Sequence, residues 1–389
     1  PLAVLYHTYF VQEAWLALFT WALLFTLLAW CERPRLWLAL GTGLLVGLMQ
    51  ATKETSVLHY AALAAAVAAA RFRTPKIDRA VWKRAASQLG AALAVALLVY
   101  VGFYSSFGAY WAGVAAGLET YVHQWRRSSD AAHSHPFLHY IQLLWPHRSG
   151  GVRWGEPALL AFALGGVALA LRSSAPRALR AVATLTVALL LCYSAIPYKT
   201  PWLLLTPMIG LTLLAGVSLA ALRHVSRWGP AVVLVATGVT LAQLVDRTRL
   251  ALDRYPGDAR NPYFYQQTPR GFIALVERLD ELAAFDPRIA VVSPDDAWPL
   301  PWYLRGRDRV GYFATAPAAL DAWDILIWDT RVPAPDAWPD GAVVELHGLR
   351  PNGLLQVVIR RELWEKLFAT NQLDAHSAGA PSPVALNPP

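Results

Sequence analysis

Eight apolar runs, at about residues 14–30, 36–51, 55–70, 87–106, 156–171, 181–197, 202–222 and 229–246, constrain this chain more than any other feature. A helix rises 1.5 Å per residue, so about 20 apolar residues cross a hydrocarbon core of about 30 Å. The runs are therefore read as membrane spans, several of them short. Residues 36–70 would reach roughly 50 Å as one helix, and Lys53-Glu54 interrupts them, so they are read as a helical hairpin. Only 15% of residues are charged, against about a quarter in soluble domains, which puts most of the chain in lipid. The net charge of +8 would point to a polyanion in a soluble protein; here the cations fall in short loops between apolar runs. That is a topology signal, and no nucleic-acid partner is expected. Cys31 and Cys192 are far apart and give neither a disulfide framework nor a zinc pattern. Residue 1 is Pro and no signal peptide precedes the first run, so the sequence reads as the later part of a longer chain.

Orientation follows from loop charge, because Lys and Arg are retained on the cytoplasmic side. One set of alternate loops holds thirteen: Arg33, Arg35, Arg71, Arg73, Lys76, Arg79, Lys83, Arg84, Arg172, Arg177, Arg180, Arg223 and Arg227. The opposite set holds six: Lys53, Arg126, Arg127, Arg148, Arg153 and Lys199. Parity then sends the unusual polar clusters to one extracytoplasmic face: His7 to Glu13, Lys53-Glu54, the loop 107–155 and Tyr198-Lys199.

Within that loop, Tyr110, Trp111, Val114, Leu118, Tyr121, Val122 and Trp125 recur at helical spacing and predict an amphipathic helix on the membrane surface. Histidines at 123, 133, 135, 139 and 147 raise a divalent-metal possibility, but no HExxH or fixed ligand spacing is present, and a polar lid facing headgroups is the fuller account. Residues 247–267 read as a linker leaving the membrane. Thr268-Pro269 open a helix with Phe272, Leu275, Val276, Leu279 and Leu282 on one face. Strands are expected at Ile289–Ser293, Ile325–Trp328, Ala342–Leu346 and Leu354–Ile359. The expected class is an α-helical polytopic membrane protein with a small C-terminal extracytoplasmic α/β domain. Its divisions are 1–246 for the spans, 247–267 for the linker, 268–369 for the α/β domain and 370–389 for a disordered tail.

Four places could carry chemistry. Glu13, at the outer end of the first span, could orient a sugar hydroxyl, act as a base, or complement the helix dipole. Lys53-Glu54 are opposite charges inside apolar sequence, costly there unless paired or bound. Lys199 sits in Ile196-Pro-Tyr-Lys-Thr-Pro-Trp202, a stiff knot between two spans; it either snorkels to the interface or holds a phosphate. Lys53 with Lys199, helped by Arg126 or Arg127, would make a clamp for a lipid phosphate, with Glu54, Tyr198 and His135 beside the same substrate. Asp295-Asp296 follow a strand end, the usual place for an α/β ligand site, though a solvated turn explains them more simply. No GxGxxG or Walker loop is present, so a nucleotide donor has no seat.

The strings YHTYF before Glu13, ATKET (51–55), HPFLHYIQLLW (135–145), IPYKTPWLLL (196–205), NPYFYQQTP (261–269) and WPLPWYLR (298–305) resemble membrane glycosyltransferases of the GT-C type. These are relatives of the dolichyl-phosphate-mannose protein mannosyltransferases, and the likeness is closest to the group labelled "flippase activity-associated". The resemblance implies an extracytoplasmic active site, in a multi-pass protein of the cell (inner) membrane. There a hexosyl or mannosyl group would pass from a polyprenyl-phosphate-linked sugar to a glycan or protein acceptor among membrane lipid, without a cofactor. It matches Glu13 to an acidic catalytic position, and Lys53 and Lys199 to basic positions near the donor phosphate. The arginine usual before the acidic position is replaced around Thr8, and the family's catalytic aspartate belongs to a loop upstream of Pro1. The main alternative is a non-catalytic translocator or accessory protein of a cell-envelope glycan pathway; a third reading makes the C-terminal domain a docking module, marked by an exposed apolar patch.

Overall fold

The computed structural model describes residues 1–9, 11–72, 79–127, 134–265, 268–295, 297–350 and 353–377; the side chains of 124–127, 270 and 371–377 are outside that description. The chain forms two compact units: Pro1–Pro256 with Arg260–Tyr265, and Gly257–Ala259 with Gln266–Pro389.

The first unit is helical: α1 (Leu2–Thr8), α2 (Gln12–Glu32), α3 (Leu36–Thr52), α4 (Ser56–Arg71), α5 (Arg79–Tyr104), α6 (Ala112–Arg127), α7 (His139–Leu144), α8 (Pro157–Ala170), α9 (Arg177–Ala195), α10 (Leu205–Leu222) and α11 (Gly229–Arg249). A short antiparallel hairpin, β1 (His147–Ser149) with β2 (Val152–Trp154), stands between α7 and α8. Each of the eight apolar runs lies on one of the helices α2–α5 and α8–α11. Among the described residues, five helices are long and apolar enough to cross a membrane: Gln12–Glu32, Arg79–Tyr104, Arg177–Ala195, Pro201–Leu222 and Gly229–Arg254. Helices α3, α4 and α8 are apolar but shorter.

The core is built by α2, α4, α8, α9 and α10, through Leu16, Leu23 and Leu24, Leu63 and Ala66, Leu160 and Ala163, Leu185 and Leu189, and Leu211 and Leu214. Close van der Waals packing among these side chains ties the helices into one body. Helix α5 stands outside this body, burying only Ala92 among its described residues, and Leu93, Leu97 and Leu98 point outward. On α11, Leu234, Val235 and Val239 are likewise exposed.

Two glycines bring α3 against α5. A methyl at Gly43 would stand 2.1 Å from the Ala92 carbonyl oxygen, and one at Gly47 would stand 2.6 Å from Val99 Cβ. Small residues four apart let helix backbones approach in this way. The turn at Lys53–Thr55 joins α3 and α4, yet α3 lies chiefly on α5 and α4 chiefly on α9, so the expected hairpin is opened wide. Each arm finds a better surface on a third helix than on its partner.

Where a linker was expected, α11 runs to Arg249 and continues as a π turn, Leu250–Arg254. Residues 260–265 then fold back into the helical unit. Asn261 is fully buried, its amide donating to the carbonyls of Ala251 and Tyr255 at 3.0 Å each, and Tyr263 is fully buried against Trp154. Satisfying two orphan carbonyls at a helix end is what anchors this polar stretch in an apolar unit.

The second unit carries α12 (Arg270–Leu282), β3 (Ile289–Val292), α13 (Leu300–Tyr303), β4 (Val310–Phe313), β5 (Ile325–Asp329), β6 (Val343–Arg350), β7 (Gly353–Ile359) and α14 (Arg361–Ser377). Strand order is β4-β3-β5-β7-β6, parallel across β4, β3 and β5 and antiparallel onward. One face of the sheet is covered by α12 and α14, through Phe272, Leu275, Leu279, Leu363 and Leu367. The other face is covered by loop residues, Trp338 and Leu320 among them. All four expected strands are present, and β4 is additional: its four residues, VGYF, are too few to show an alternation. Helix α12 starts at Arg270, after Pro269, with no side-chain cap from Thr268. Helix α14 runs through 370–377, and residues 378–389 lie outside the described residues.

Candidate active site

The starts of α2, α4 and α10 and the ends of α3 and α9 meet at one end of the helical unit. Between them lies a cavity of about 570 Å³ lined by residues that include Lys53, Glu54, Thr55, Tyr121, Tyr193, Tyr198 and Trp202. Most of the wall is apolar, and the polar groups gather where the turn at Lys53–Thr55 faces the loop 196–200.

Glu13 lies in the first turn of α2, 5% exposed, and its carboxylate pairs with the Lys53 ammonium. Glu13 does not line the cavity: it stands behind Lys53 and holds the cation there. Glu54, half-buried, makes no hydrogen bond or ion pair among the described residues and presents its carboxylate to the cavity. The Tyr198 hydroxyl is 3.1 Å from that of Tyr265.

Lys199 takes a different place from the one expected of a phosphate ligand. It is 2% exposed, and its ammonium donates to the carbonyls of His135, at 3.1 Å, and Ile196. The backbone of His135 also bonds to Pro197, and Ser134 bridges Tyr198. Burial lowers the Lys199 pKa, but the carbonyl ligands account for two of its three donors. Lys199 thus fastens the 134–135 segment to the 196–200 loop, and the two-lysine clamp is not assembled in the cavity. Arg126 and Arg127 end α6, and their side chains lie outside the described residues.

His139 stacks on His135 with ring centroids 4.0 Å apart, and burial, followed by the positive neighbours His135, Lys199 and His147, lowers its pKa to about 4. His133 lies outside the described residues. Among the described residues, no group of three or more His, Cys, Asp or Glu side chains could hold a metal ion.

A buried polar relay leads from the core to the cavity, and the sequence reading did not single it out. Thr20 donates its hydroxyl proton to the Leu16 carbonyl at 2.6 Å, and its oxygen is 2.7 Å from His59 Nδ1. A hydroxyl has one proton, so Nδ1 is the donor; with one ring proton, Nε2 accepts from the Tyr193 hydroxyl at 2.5 Å. The lone pairs of Tyr193 are left to the cavity. Thr55, which also lines the cavity, stands beside the Tyr193 hydroxyl. The available signal was a histidine inside the run LHYAALAAAVAAA, since polar side chains in apolar spans need internal partners.

In the second unit, Asp295 is tied to Arg331 at 2.8 Å, and Asp329, fully buried, to the same guanidinium at 2.6 Å. Burial opposes the Asp329 charge, but the Arg331 hydrogen bonds outweigh it and lower the pKa. This is a lock across the ends of β3 and β5; Asp296 lies outside the described residues. Compared with protein-family models, curated proteins and solved structures, the chain matches none.

Proposed function

We propose that the chain is a polytopic membrane glycosyltransferase that moves a sugar from a polyprenyl-phosphate donor to an acceptor at the cavity described above. Exposed leucine and valine along α5 and α11 support a lipid surround, because in water such faces would drive aggregation. The cavity sits at the end opposite Arg33, Arg172 and Arg223, so the positive-inside rule puts it outside the cytoplasm. By the same rule the second unit, which follows α11, is extracytoplasmic.

One observation carries the chemistry: a half-buried lysine already held by one carboxylate stands beside a second carboxylate with no partner among the described residues, under an apolar wall. Lys53 neutralises the donor phosphate, and the wall takes the first isoprenoid units. Tyr193, whose own proton is engaged inward, accepts a hydrogen bond from a sugar hydroxyl. Glu54 takes the acceptor's hydroxyl proton as that oxygen bonds to the anomeric carbon. The bond from carbon to phosphate oxygen breaks, and its electron pair leaves on the phosphate beside Lys53. Glu13 and Lys199 act as positioning residues, the first for Lys53 and the second for the 196–200 loop.

A translocator or accessory role is the second reading, favoured by the burial of Lys199, which leaves the cavity one lysine. Transfer of radiolabelled sugar from polyprenyl-phosphate donors by the full-length protein in vesicles separates the two. The transferase reading expects Glu54→Gln to retain labelled donor but lose product by about a hundredfold, and Lys53→Met to lose both. Donor retention that depends on Lys53, without product from any donor, would replace it with the second reading. Product that survives Glu54→Gln removes the role given to that carboxylate.

A further inference from the structure

A second cavity, of about 460 Å³, opens between the β1–β2 hairpin, the start of α8 and the end of α11. It shares no lining residue with the first. Its polar groups are His147, Arg148, Arg153, Trp154, Gln243 and Arg247. Among the described residues no carboxylate lines it.

The hairpin register sets Arg148 directly opposite Arg153. Opposed residues of an antiparallel pair project from one face with Cβ atoms about 5 Å apart, and like charges there repel. Among the described residues no acidic side chain pairs with either. Arg247 is swung toward them by donating to the Arg153 carbonyl at 2.6 Å, and its Nε is buried without a hydrogen-bond partner. Its nearest acid, Asp246 at 3.8 Å, is 69% exposed and outside the cavity. Glu156 is buried, but its carboxylate receives the Leu2 backbone N–H instead.

Trp154 backs the hairpin: it is 2% exposed and fixed edge-on between Tyr255 and Tyr263. The Gln243 side-chain oxygen is occupied by the Ala158 N–H, which leaves its amide protons as further donors. Gly155 lets the wall close up: φ is +102°, and a methyl there would stand 2.4 Å from the Trp145 carbonyl oxygen.

We infer that this pocket binds a phosphate group, with Arg148, Arg153 and Arg247 around its oxygens. Planar guanidinium forks suit a tetrahedral oxyanion, and three of them exceed the charge of one carboxylate. The phosphate is either free in solution or the headgroup of a membrane lipid. The inference is independent of sugar transfer.

The test uses the full chain in maltoside micelles with two probes, [32P]orthophosphate by equilibrium dialysis and phosphatidylglycerol retention by native mass spectrometry. Wild type is expected to bind at least one saturably. Arg148→Gln/Arg153→Gln should weaken that binding by tenfold or more; Gly90→Ala, on α5 and lining neither cavity, should leave it unchanged. Saturable orthophosphate identifies the free anion, and lipid retention alone identifies the headgroup. A further readout is thermal: without phosphate the double variant should melt higher than wild type, because the repulsion is gone, and it should lose the rise that phosphate gives. Absence of both binding signals in wild type, or equal binding by wild type and the double variant, overturns the proposal.

Discussion

Glu13 and Lys53 are unequally exposed, and that decides what each deletion costs. Lys53→Met leaves the Glu13 carboxylate, 6% exposed, without its cation, which is expected to cost about 3 kcal/mol. Glu13→Gln leaves a lysine that is 20% exposed and free to reach into the cavity, so about 1 kcal/mol is expected. The double variant should recover part of the loss, with a coupling of about 1–3 kcal/mol, measured by denaturant unfolding in micelles. His139 gives a pH dependence with a defined sign. Its folded pKa of about 4 lies below the unfolded value of about 6.5, so it contributes nothing above 6.5. As pH falls toward 4 the unfolded chain takes the proton first, and stability is lost. Melting curves between pH 7.5 and 4.5 should decline less steeply in His139→Gln. At this scale the sequence exposed Lys53, Glu54 and Lys199, because a charge in an apolar run is conspicuous. It could not show that Lys199 is spent on two carbonyls, since a backbone acceptor has no residue type.

Helix–helix contacts repeat the point one level up. Valine at Gly43 would overlap the Ala92 carbonyl, and backbone cannot yield as a side chain does. Gly43→Val is expected to destabilise by about 1–3 kcal/mol and to separate α3 from α5. Gly90→Ala, on α5 with nothing within 4 Å of the added methyl, should be neutral or gain up to about 1 kcal/mol from helix propensity. Unfolding in micelles, with cross-linking between cysteines placed on α3 and α5, checks both. The eight apolar runs were legible as helices because length and composition alone define such a segment. Which helix each would touch was not, and so the hairpin at Lys53–Thr55 was expected closed.

Two units with separate cores should unfold as two transitions. Asp329→Ala removes the buried end of the lock but leaves Arg331 44% exposed and still paired with Asp295, so it is expected to lower the transition of the second unit by about 1 kcal/mol. Hydrogen exchange should then rise in β3 and β5 while α2 and α9 stay protected; loss of protection in both would contradict separate cores. Sequence by itself determined the apolar helical body, the change of composition after it and the strands β3, β5, β6 and β7, because periodicity and hydrophobicity are properties of consecutive residues. Tertiary structure alone decided that Glu13 serves Lys53, that Glu54 faces the cavity, that 260–265 belongs to the helical unit and that Arg148 opposes Arg153. Each of these is a pairing across the chain, fixed by which surfaces pack together and which buried polar groups must find a partner.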